Sequence, residues 1–253
     1  MTMTRTALVT GGAKRIGAAI TERLSRDGWR VVVHYHHSPD EAEEHARRIG
    51  GFAVAADLSN PAEAEALPAA AADAAGAAID AVVNNASVFE FNRALDFSID
   101  DWRRDQTVNL LSPVLIARAF AKAAPAGKTG AVVNILDQKL WNLNADFFTY
   151  TMSKIGLEGA TRLLAKALAP GIRVNAVAPG LTLPSGDQSQ AEFEAVSSKY
   201  NLLKRPIDID AIAGAVVFLL DNHAMTGQTI LIDNGQHMVA SDHDIMFTTR
   251  GKG

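Results

Sequence analysis

Thr10-Gly11-Gly12-Ala13-Lys14-Arg15-Ile16-Gly17 is the stretch of sequence that decides the fold. It follows the apolar run Ala7-Leu8-Val9 and leads into an amphipathic segment at residues 20–24. A strand, a glycine turn and a helix in this order bring backbone N–H groups and a helix N-terminus close to a pyrophosphate. An ordinary tight turn is the alternative, but the segments that follow favour a dinucleotide site. The cofactor contacts predicted at this turn are Gly11, Lys14, Arg15, Ile16 and Gly17.

Composition limits the classes of function. The chain has 253 residues, a formal net charge of −4 and no cysteine. Thiol catalysis, disulfides and cysteine-based metal sites are therefore excluded, and the charge gives no sign of a nucleic-acid partner. No apolar run is long enough for a signal peptide or a membrane span, and the seven histidines show no ligand spacing. We expect a cytoplasmic protein without a metal, nucleic-acid or membrane partner.

Short β-rich runs alternate with helical stretches along the chain, which predicts βαβ units. The predicted fold is one α/β domain over residues 1–253, a Rossmann-type, doubly wound, seven-stranded parallel sheet with helices on both faces. The predicted strands are residues 8–10, 31–35, 52–56, 79–83, 131–136, 172–177 and 229–232. Residues 61–78 are expected to be a solvent-side helix interrupted at Pro68, and residues 102–121 a long helix.

The end of the second strand indicates which cofactor binds. Folds that prefer NAD usually place an acidic residue there, against the ribose diol. This strand ends Tyr35-His36-His37-Ser38, and Asp40 follows only at the start of a helix. We therefore predict NADPH, its 2′-phosphate bound by Lys14, Arg15, His36, His37 and Ser38. A loop that is basic by chance is the alternative. Asp57-Leu58 ends the third strand, where the carboxylate would accept from the adenine amino group or cap the loop.

Tyr150 and Lys154 are the candidate reactive pair. They stand four residues apart and so share one face of a helix. A nearby cation stabilises a phenolate, so the pair predicts a tyrosine that exchanges its proton nearer neutral pH. A surface pair is the alternative reading of this spacing alone.

Over nearly its whole length the chain resembles the short-chain dehydrogenase/reductase family. The matching residues are Thr10–Gly17, Asn84-Asn85-Ala86, Asn109, Tyr150 with Lys154, and residues 173–180. The resemblance implies that Tyr150 donates the proton, and that Lys154 assists it and binds the nicotinamide ribose. It also implies that Asn109 holds a relay water and that Pro179-Gly180 borders the nicotinamide. Asn85, Ala86 and Ser87 complete the implied cofactor contacts.

Three departures from the family pattern narrow the resemblance. Arg15 replaces the usual middle glycine, Ser87 replaces a glycine, and Asp137 stands where the catalytic serine is usual, thirteen residues before Tyr150. Together they resemble the pteridine reductases and dihydromonapterin reductases, which are also similar at residues 34–38, 87–89 and 150–154.

This branch implies NADPH-dependent reduction of a pterin or folate-like substrate, with hydride going to ring carbon and a proton to ring nitrogen. A carboxylate would repel a developing alkoxide, whereas Asp137 beside Tyr150 can help to protonate a nitrogen. Phe89 is expected to stack on the flat substrate, and Arg15 and Ser87 to bind its polar edge. Asp137 as a strand-end cap and Phe89 as loop packing are the alternatives.

The resemblance also implies a lid, a homotetramer and a role for the tail. Residues 181–206 would cover the substrate, with a flexible centre at 185–187. Subunits would pair through apolar helix faces, here Leu110/Val114/Ala117 and Leu157/Leu164/Leu168. The tail at residues 237–253 is expected to be disordered or to dock on a neighbouring subunit.

Two other functions remain open at this point. One is a reductase or dehydrogenase of a carbonyl or alcohol, with Asp137 a lineage-specific replacement. The other is an NADP-binding regulator that has lost turnover, against which the presence of Tyr150, Lys154 and Asn109 counts.

Overall fold

The computed structural model describes residues 4–125, 127–184 and 189–247. The strands in these ranges are β1 (Thr6–Val9), β2 (Arg30–Tyr35), β3 (Phe52–Ala55), β4 (Ala81–Asn84), β5 (Gly130–Ile135), β6 (Ile172–Pro179) and β7 (Thr229–Ile232). They form one sheet in the order β3-β2-β1-β4-β5-β6-β7, and every neighbouring pair is parallel. The predicted fold class is confirmed. The strand order reverses between β1 and β4, and ligands bind open α/β sheets at the carboxyl edge of such a reversal.

Helices cover both faces of this sheet. They are α1 (Arg15–Arg26), α2 (Pro39–Arg48), α3 (Pro61–Ala75), α4 (Ile99–Gln106), α5 (Ser112–Ala123), α6 (Phe148–Ala167), α7 (Gln190–Ser197) and α8 (Ile209–Asp221). Successive side chains of a strand point to opposite faces, so Val9 packs with α1 and α8 while Leu8 packs with α3 and α5. This two-sided burial explains why the strands are apolar at nearly every position.

The alanine-rich helix α3 differs from the prediction. It was expected to be a solvent-side cover interrupted at Pro68, but Pro68 lies inside a continuous helix. Ala64, Leu67 and Ala71 are buried in the core on their face of the sheet. A proline inside a helix costs about 3 kcal/mol, and burial of Leu67 alone returns about 2 kcal/mol. The apolar stripe therefore keeps the helix continuous.

The predicted long helix is divided by a π-helical turn. Ser98 starts α4 with a capping box, in which its hydroxyl accepts from Asp101 N at 3.0 Å and Asp101 accepts from Ser98 N at 2.9 Å. A π turn at Thr107–Leu111 then joins α4 to α5. Such turns shift the alignment of side chains within a helix and are frequent at functional sites. Here the turn contains the buried Asn109.

The segment after β6 contains a helix where we predicted a lid without secondary structure. Ser189 caps α7, accepting from Glu192 N at 3.2 Å, while the Glu192 carboxylate accepts from Ser189 N at 2.7 Å. Phe193 and Val196 bury the inner face of the helix. The pattern Ser-x-x-Glu before spaced apolar residues is typical of the start of a helix, and the sequence contains it here. Residues 185–188, with the predicted flexible centre, lie outside the described residues.

The helix faces predicted to pair subunits belong largely to the interior of the chain. Ala117 and Leu157 are buried, and Leu110, Leu164 and Leu168 pack against the cores. Apolar residues repeated with the helical period mark the face of a helix that packs against the sheet. The faces predicted to pair subunits are faces of this kind. The exposed apolar side chains nearby are Leu111, Met152, Ile155 and Leu163.

In the part of the chain that the structure describes, none of the helices has both the length and the apolar character needed to cross a bilayer.

Candidate active site

The glycine turn after β1 is tightly packed against the start of α1. Gly11 has a φ of +59°, which a side chain would strain, and a Cβ on Gly17 would lie 2.1 Å from the Gly11 carbonyl oxygen. Among the described residues, no side chain caps the start of α1. Its first N–H groups can therefore bind an anion, so the turn fits the phosphates of a dinucleotide.

His34 holds this turn in place through a hydrogen bond to its backbone. It is buried in β2, its Nδ1 accepts from Gly11 N at 3.1 Å, and its Nε2 contacts Ala56 O at 3.0 Å. Because Gly11 N is a donor and Ala56 O an acceptor, the ring must be neutral with its proton on Nε2. Burial lowers the pKa of His34 to about 4. Sequence reasoning assigned this residue no role, although a histidine within an apolar parallel strand was the available signal.

Arg15 follows the turn in the left-handed region, with a φ of +53°. Its Nη2 donates to Pro184 O at 2.7 Å, so the guanidinium bridges the cofactor turn and the segment after β6. The Arg15 side chain lines the cavity described below, where we had placed it.

The residues predicted to bind the 2′-phosphate lie along the same edge of the sheet. Lys14 forms an exposed ion pair with Glu41, an acidic neighbour that the sequence reasoning did not consider. The rings of His36 and His37 are 3.5 Å apart between centroids. His36, His37 and Ser38 lie outside the cavity wall, which Lys14 does line.

Asp57 and Leu58 already have partners within the protein. The Asp57 carboxylate accepts from Ser59 N and Ser59 Oγ, each at 2.8 Å, and its Oδ1 lies 3.8 Å from His36 Nδ1. The Leu58 side chain belongs to the core and its carbonyl accepts from Ser112 Oγ at 2.6 Å. Asp57 thus caps the loop, its contact with adenine stays a prediction, and both residues lie outside the cavity wall.

The segment after β4 is braced against the glycine turn. Asn85 Nδ2 donates to Thr10 O at 2.9 Å and to Gly11 O at 3.0 Å. Ala86 N donates to Thr10 Oγ1 at 3.0 Å. These bonds hold Asn85, Ala86 and Ser87 in the cavity wall, as predicted from the resemblance.

The Asn109 side chain is fully hydrogen-bonded behind the cavity wall. Its Oδ1 accepts from Val88 N at 2.9 Å and from Ser87 Oγ at 3.1 Å. Its Nδ2 donates to Val88 O and to Ser153 Oγ, each at 3.0 Å. Four bonds use the full capacity of a side-chain amide. Asn109 therefore positions Ser87 from behind the cavity wall, and its role with a relay water stays a prediction.

Asp137, Tyr150 and Lys154 come together at the cavity wall. The Tyr150 hydroxyl donates to Asp137 Oδ2 at 2.9 Å, and Asp137 Oδ1 accepts from Lys139 N at 2.8 Å. Lys154 Nζ donates to Ile135 O at 2.8 Å and lies 5.7 Å from the centre of the Tyr150 ring. We call Asp137 and Tyr150 the proton dyad.

The pKa of Tyr150 is shifted in the direction opposite to the one expected from Lys154. Burial and the Asp137 carboxylate hold the pKa of Tyr150 well above its ordinary value. Burial also raises the pKa of Asp137, although the bonds from Lys139 N and Tyr150 partly oppose this. Burial lowers the pKa of Lys154 to about 8. Burial and the bonded carboxylate thus keep Tyr150 a neutral phenol that has a proton to give.

Phe89 lines the cavity, but one of its faces is occupied. It stacks on Phe147, with centroids 4.0 Å apart and an interplanar angle of 13°. Its ring also meets Tyr150 edge-on at 4.7 Å. Phe89 thus belongs to an aromatic cluster of the protein. It also lines the cavity, and its contact with substrate stays a prediction.

The end of β6 closes the opposite wall. Gly180 N donates to Ile232 O at 3.0 Å, and a Cβ on Gly180 would meet Gln236 Oε1 at 2.6 Å. Pro179 and Gly180 both line the cavity.

The cavity has a volume of about 440 Å³. Predicted residues that line it are Gly11, Lys14, Arg15, Ile16, Gly17, Asn85, Ala86, Ser87, Phe89, Asp137, Tyr150, Lys154, Pro179 and Gly180. Sequence reasoning missed Gln138, Lys139, Asn142, Asn144, Gln236, Ser241, Asp244 and Ile245, which also line it.

A comparison with protein families decides the identity of this fold. The family model described as Enoyl-(Acyl carrier protein) reductase matches residues 11–237. The chain belongs to the short-chain dehydrogenase/reductase family. It is therefore an oxidoreductase, as the glycine turn and the Tyr150–Lys154 pair predicted.

Individual relatives agree with this assignment. Pteridine reductase 1 of Leishmania tarentolae is 32% identical over 274 residues, which cover 90% of this chain and 95% of that protein. A 3-oxoacyl-[acyl-carrier-protein] reductase of Synechocystis is 32% identical over 241 residues, covering 92% and 96%. The crystal structure of FolM alternative dihydrofolate reductase 1 from Brucella suis in complex with NADP has a TM-score of 0.90 and 42% identity, covering 95% and 98%.

These similarities fit the predicted pteridine reductase-like branch, and the predicted cofactor is the one bound in the Brucella structure. The roles of individual site residues stay predictions.

Proposed function

We propose that this chain uses NADPH to reduce a dihydropterin or dihydrofolate. The observation that carries the proposal is the hydrogen bond of 2.9 Å between the Tyr150 hydroxyl and Asp137 at the cavity wall. The similarity to a pteridine reductase and to an alternative dihydrofolate reductase supports it.

The chemistry of the dyad suits a C=N bond. When bound, NADPH supplies a hydride for the ring carbon. Tyr150 is held neutral and donates its proton to the ring nitrogen. Asp137 accepts this bond as a carboxylate, and because burial raises its pKa it can take up a proton from solvent after the transfer and pass it to the phenolate that Tyr150 becomes. A ketone would instead place a developing alkoxide beside this carboxylate, which repels it.

The glycine turn, the segment after β4 and Lys154 are the residues that would hold the cofactor. Lys14, Arg15 and the histidine pair would surround the 2′-phosphate. Glu41 opposes this, because it is paired with Lys14 in this structure. We propose that the phosphate replaces Glu41 as the partner of Lys14, which makes NADPH preferred over NADH.

The proposal also includes a substrate lid and an assembly of subunits. Residues 181–206, including α7, would act as the substrate lid, since Arg15 already contacts Pro184 there. Copies of the chain would assemble into a homotetramer through the exposed apolar side chains Leu111, Met152, Ile155 and Leu163.

Reduction of a carbonyl compound is the second candidate function. The similarity to a 3-oxoacyl-[acyl-carrier-protein] reductase favours it. Asp137 counts against it, because a carboxylate does not stabilise an alkoxide.

The test is a panel assay of NADPH oxidation with 7,8-dihydrobiopterin, 7,8-dihydrofolate, acetoacetyl thioesters and simple ketones, repeated with NADH. The proposal predicts that kcat/KM is highest for a pterin or folate and higher with NADPH. Preference for the thioester or a ketone would support the second candidate and refute the first. Absence of turnover with NADP⁺ still bound would indicate a silent regulator. Methotrexate, a flat pteridine, should quench tryptophan fluorescence of the NADPH complex.

A further inference from the structure

The C-terminal segment of residues 241–247 packs across the cavity of its own chain. The Asp146 carboxylate, whose side chain is 1% exposed, accepts from Asp244 N at 2.9 Å and from His243 Nδ1 at 3.2 Å. Arg93 Nε donates to the same carboxylate at 3.4 Å. A buried acidic side chain is thus satisfied by the tail and by one arginine. The described part of the tail, residues 237–247, therefore makes this contact within its own chain.

Lys139 links the tail to the dyad. Its buried Nζ donates to Asp146 O at 2.8 Å and contacts Asp244 Oδ2 at 3.4 Å. The backbone N–H of the same residue donates to Asp137 Oδ1. One residue therefore joins the dyad and the tail carboxylate, and we call Lys139, Asp146, His243 and Asp244 the tail clasp.

The far end of the segment is held by aromatic packing. The Phe247 ring meets Phe91 edge-on at 5.0 Å and lies parallel to Phe147 at 6.1 Å. Phe147 in turn stacks on Phe89. Edge-on and stacked contacts between aromatic rings are favourable beyond the apolar area that they bury. The segment is therefore fixed at both ends, with Asp244 and Ile245 between them lining the cavity.

We infer that residues 241–247 are a substrate-binding element that each chain supplies to its own cavity, with the Asp244 carboxylate accepting hydrogen bonds from N–H groups of the substrate. The second half of this inference rests on the proposed function, since dihydropterins carry ring and exocyclic N–H groups and simple ketones do not. Lys139 Nζ donates to Asp244 Oδ2 at 3.4 Å, and Asp244 lines the cavity beside the proton dyad. Ile245 supplies an apolar contact in the same wall.

The placement is tested without a substrate. The chain has no cysteine, so Phe91→Cys with Phe247→Cys gives a unique thiol pair for a short bis-maleimide linker. A cross-linked monomer is expected on a denaturing gel, and a cross-linked dimer would overturn the placement in the same chain. In the unmodified wild type, hydrogen exchange should be slow at the Asp244 and Phe247 amides, which are both bonded. Fast exchange there would overturn it too.

The role of Asp244 is tested by kinetics. Asp244→Asn should raise the KM for 7,8-dihydrobiopterin about tenfold, the effect of one charge-assisted hydrogen bond, and leave the Kd of NADP⁺ unchanged. Asp73→Asn is the matched control, since Asp73 is an exposed acid of α3 that does not line the cavity. If Asp244→Asn behaves like the control while the wild type reduces pterins, the inference is wrong and the proposed function stands. If the wild type is inactive on all pterins, the proposed function and the role of Asp244 are both refuted. Cross-linking and hydrogen exchange still decide whether residues 241–247 pack on their own chain.

Discussion

His34 should make the stability of the glycine turn depend on pH. Its Nδ1 accepts from Gly11 and its Nε2 donates to Ala56 O, so both ring nitrogens are used in the neutral form. A proton on Nδ1 would face the N–H of Gly11 and break this bond. Burial, assisted slightly by the nearby His36, lowers the pKa of His34 from 6.5 to about 4, and the bond to Ala56 only partly opposes it.

The size of the effect follows from this difference in pKa. The folded-state pKa is below the unfolded one, so between about pH 4 and 6.5 the unfolded chain binds more protons. The stabilisation is therefore complete above pH 6.5 and is lost as the pH falls towards 4. At 1.36 kcal/mol per pKa unit, the whole window corresponds to about 3 kcal/mol, of which about 2 kcal/mol is lost between pH 7.5 and 5.

The variant His34→Asn removes the pH-dependent stabilisation that His34 contributes. Its side-chain oxygen can still accept from Gly11 N, while the lost bond to Ala56 should lower the free energy of unfolding by about 1 kcal/mol at every pH. Urea unfolding at fixed protein concentration, followed by tryptophan fluorescence, should show the wild type losing about 2 kcal/mol more than the variant between pH 7.5 and 5. His37→Asn, which removes an exposed ring, is the control and should behave as wild type. Equal pH dependence in wild type and His34→Asn would refute the reasoning.

Three further predictions concern the turn, the cofactor and the assembly. Gly17→Ala places a methyl group 2.1 Å from the Gly11 carbonyl oxygen, so calorimetry should show NADP⁺ affinity reduced about tenfold or more, and unchanged affinity would contradict this. Glu41→Gln frees Lys14, so the KM for NADPH should fall about two- to fivefold at low salt; an equal fall for NADH would count against a phosphate site. Leu163→Glu places a charge on an exposed apolar face of α6, so light scattering should report a smaller assembly than the wild type; an unchanged mass would exclude this face.

Local signals explain why most of the fold could be predicted. Apolar strands and glycine turns act over a few residues, and the structure reproduces β7 with the predicted bounds. The continuity of α3 through Pro68 could not be predicted in the same way, because it depends on burial against other elements. The capping box of α7 was a local signal that the sequence did contain.

In the candidate site, too, local patterns were predictable and contacts between distant residues were not. The spacing of Tyr150 and Lys154, and the position of Asp137 in the family pattern, predicted the members of the site. The direction of the Tyr150 pKa was predicted wrongly, since it depends on burial and on the contact with Asp137 in the folded chain. The contact between Lys139 and Asp244 joins residues 105 positions apart, and no pattern in the sequence indicates it.

The central claim is that Asp137 and Tyr150 together deliver a proton to a ring nitrogen. The most direct test is single-turnover oxidation of bound NADPH by 7,8-dihydrobiopterin, compared between wild type and Asp137→Asn. The variant keeps an acceptor for Tyr150 or Lys139 but cannot carry the proton. The rate should fall by about 10²-fold or more, the usual scale for a lost acid–base group, while the Kd of NADPH is unchanged. Equal rates for the two proteins would contradict the claim.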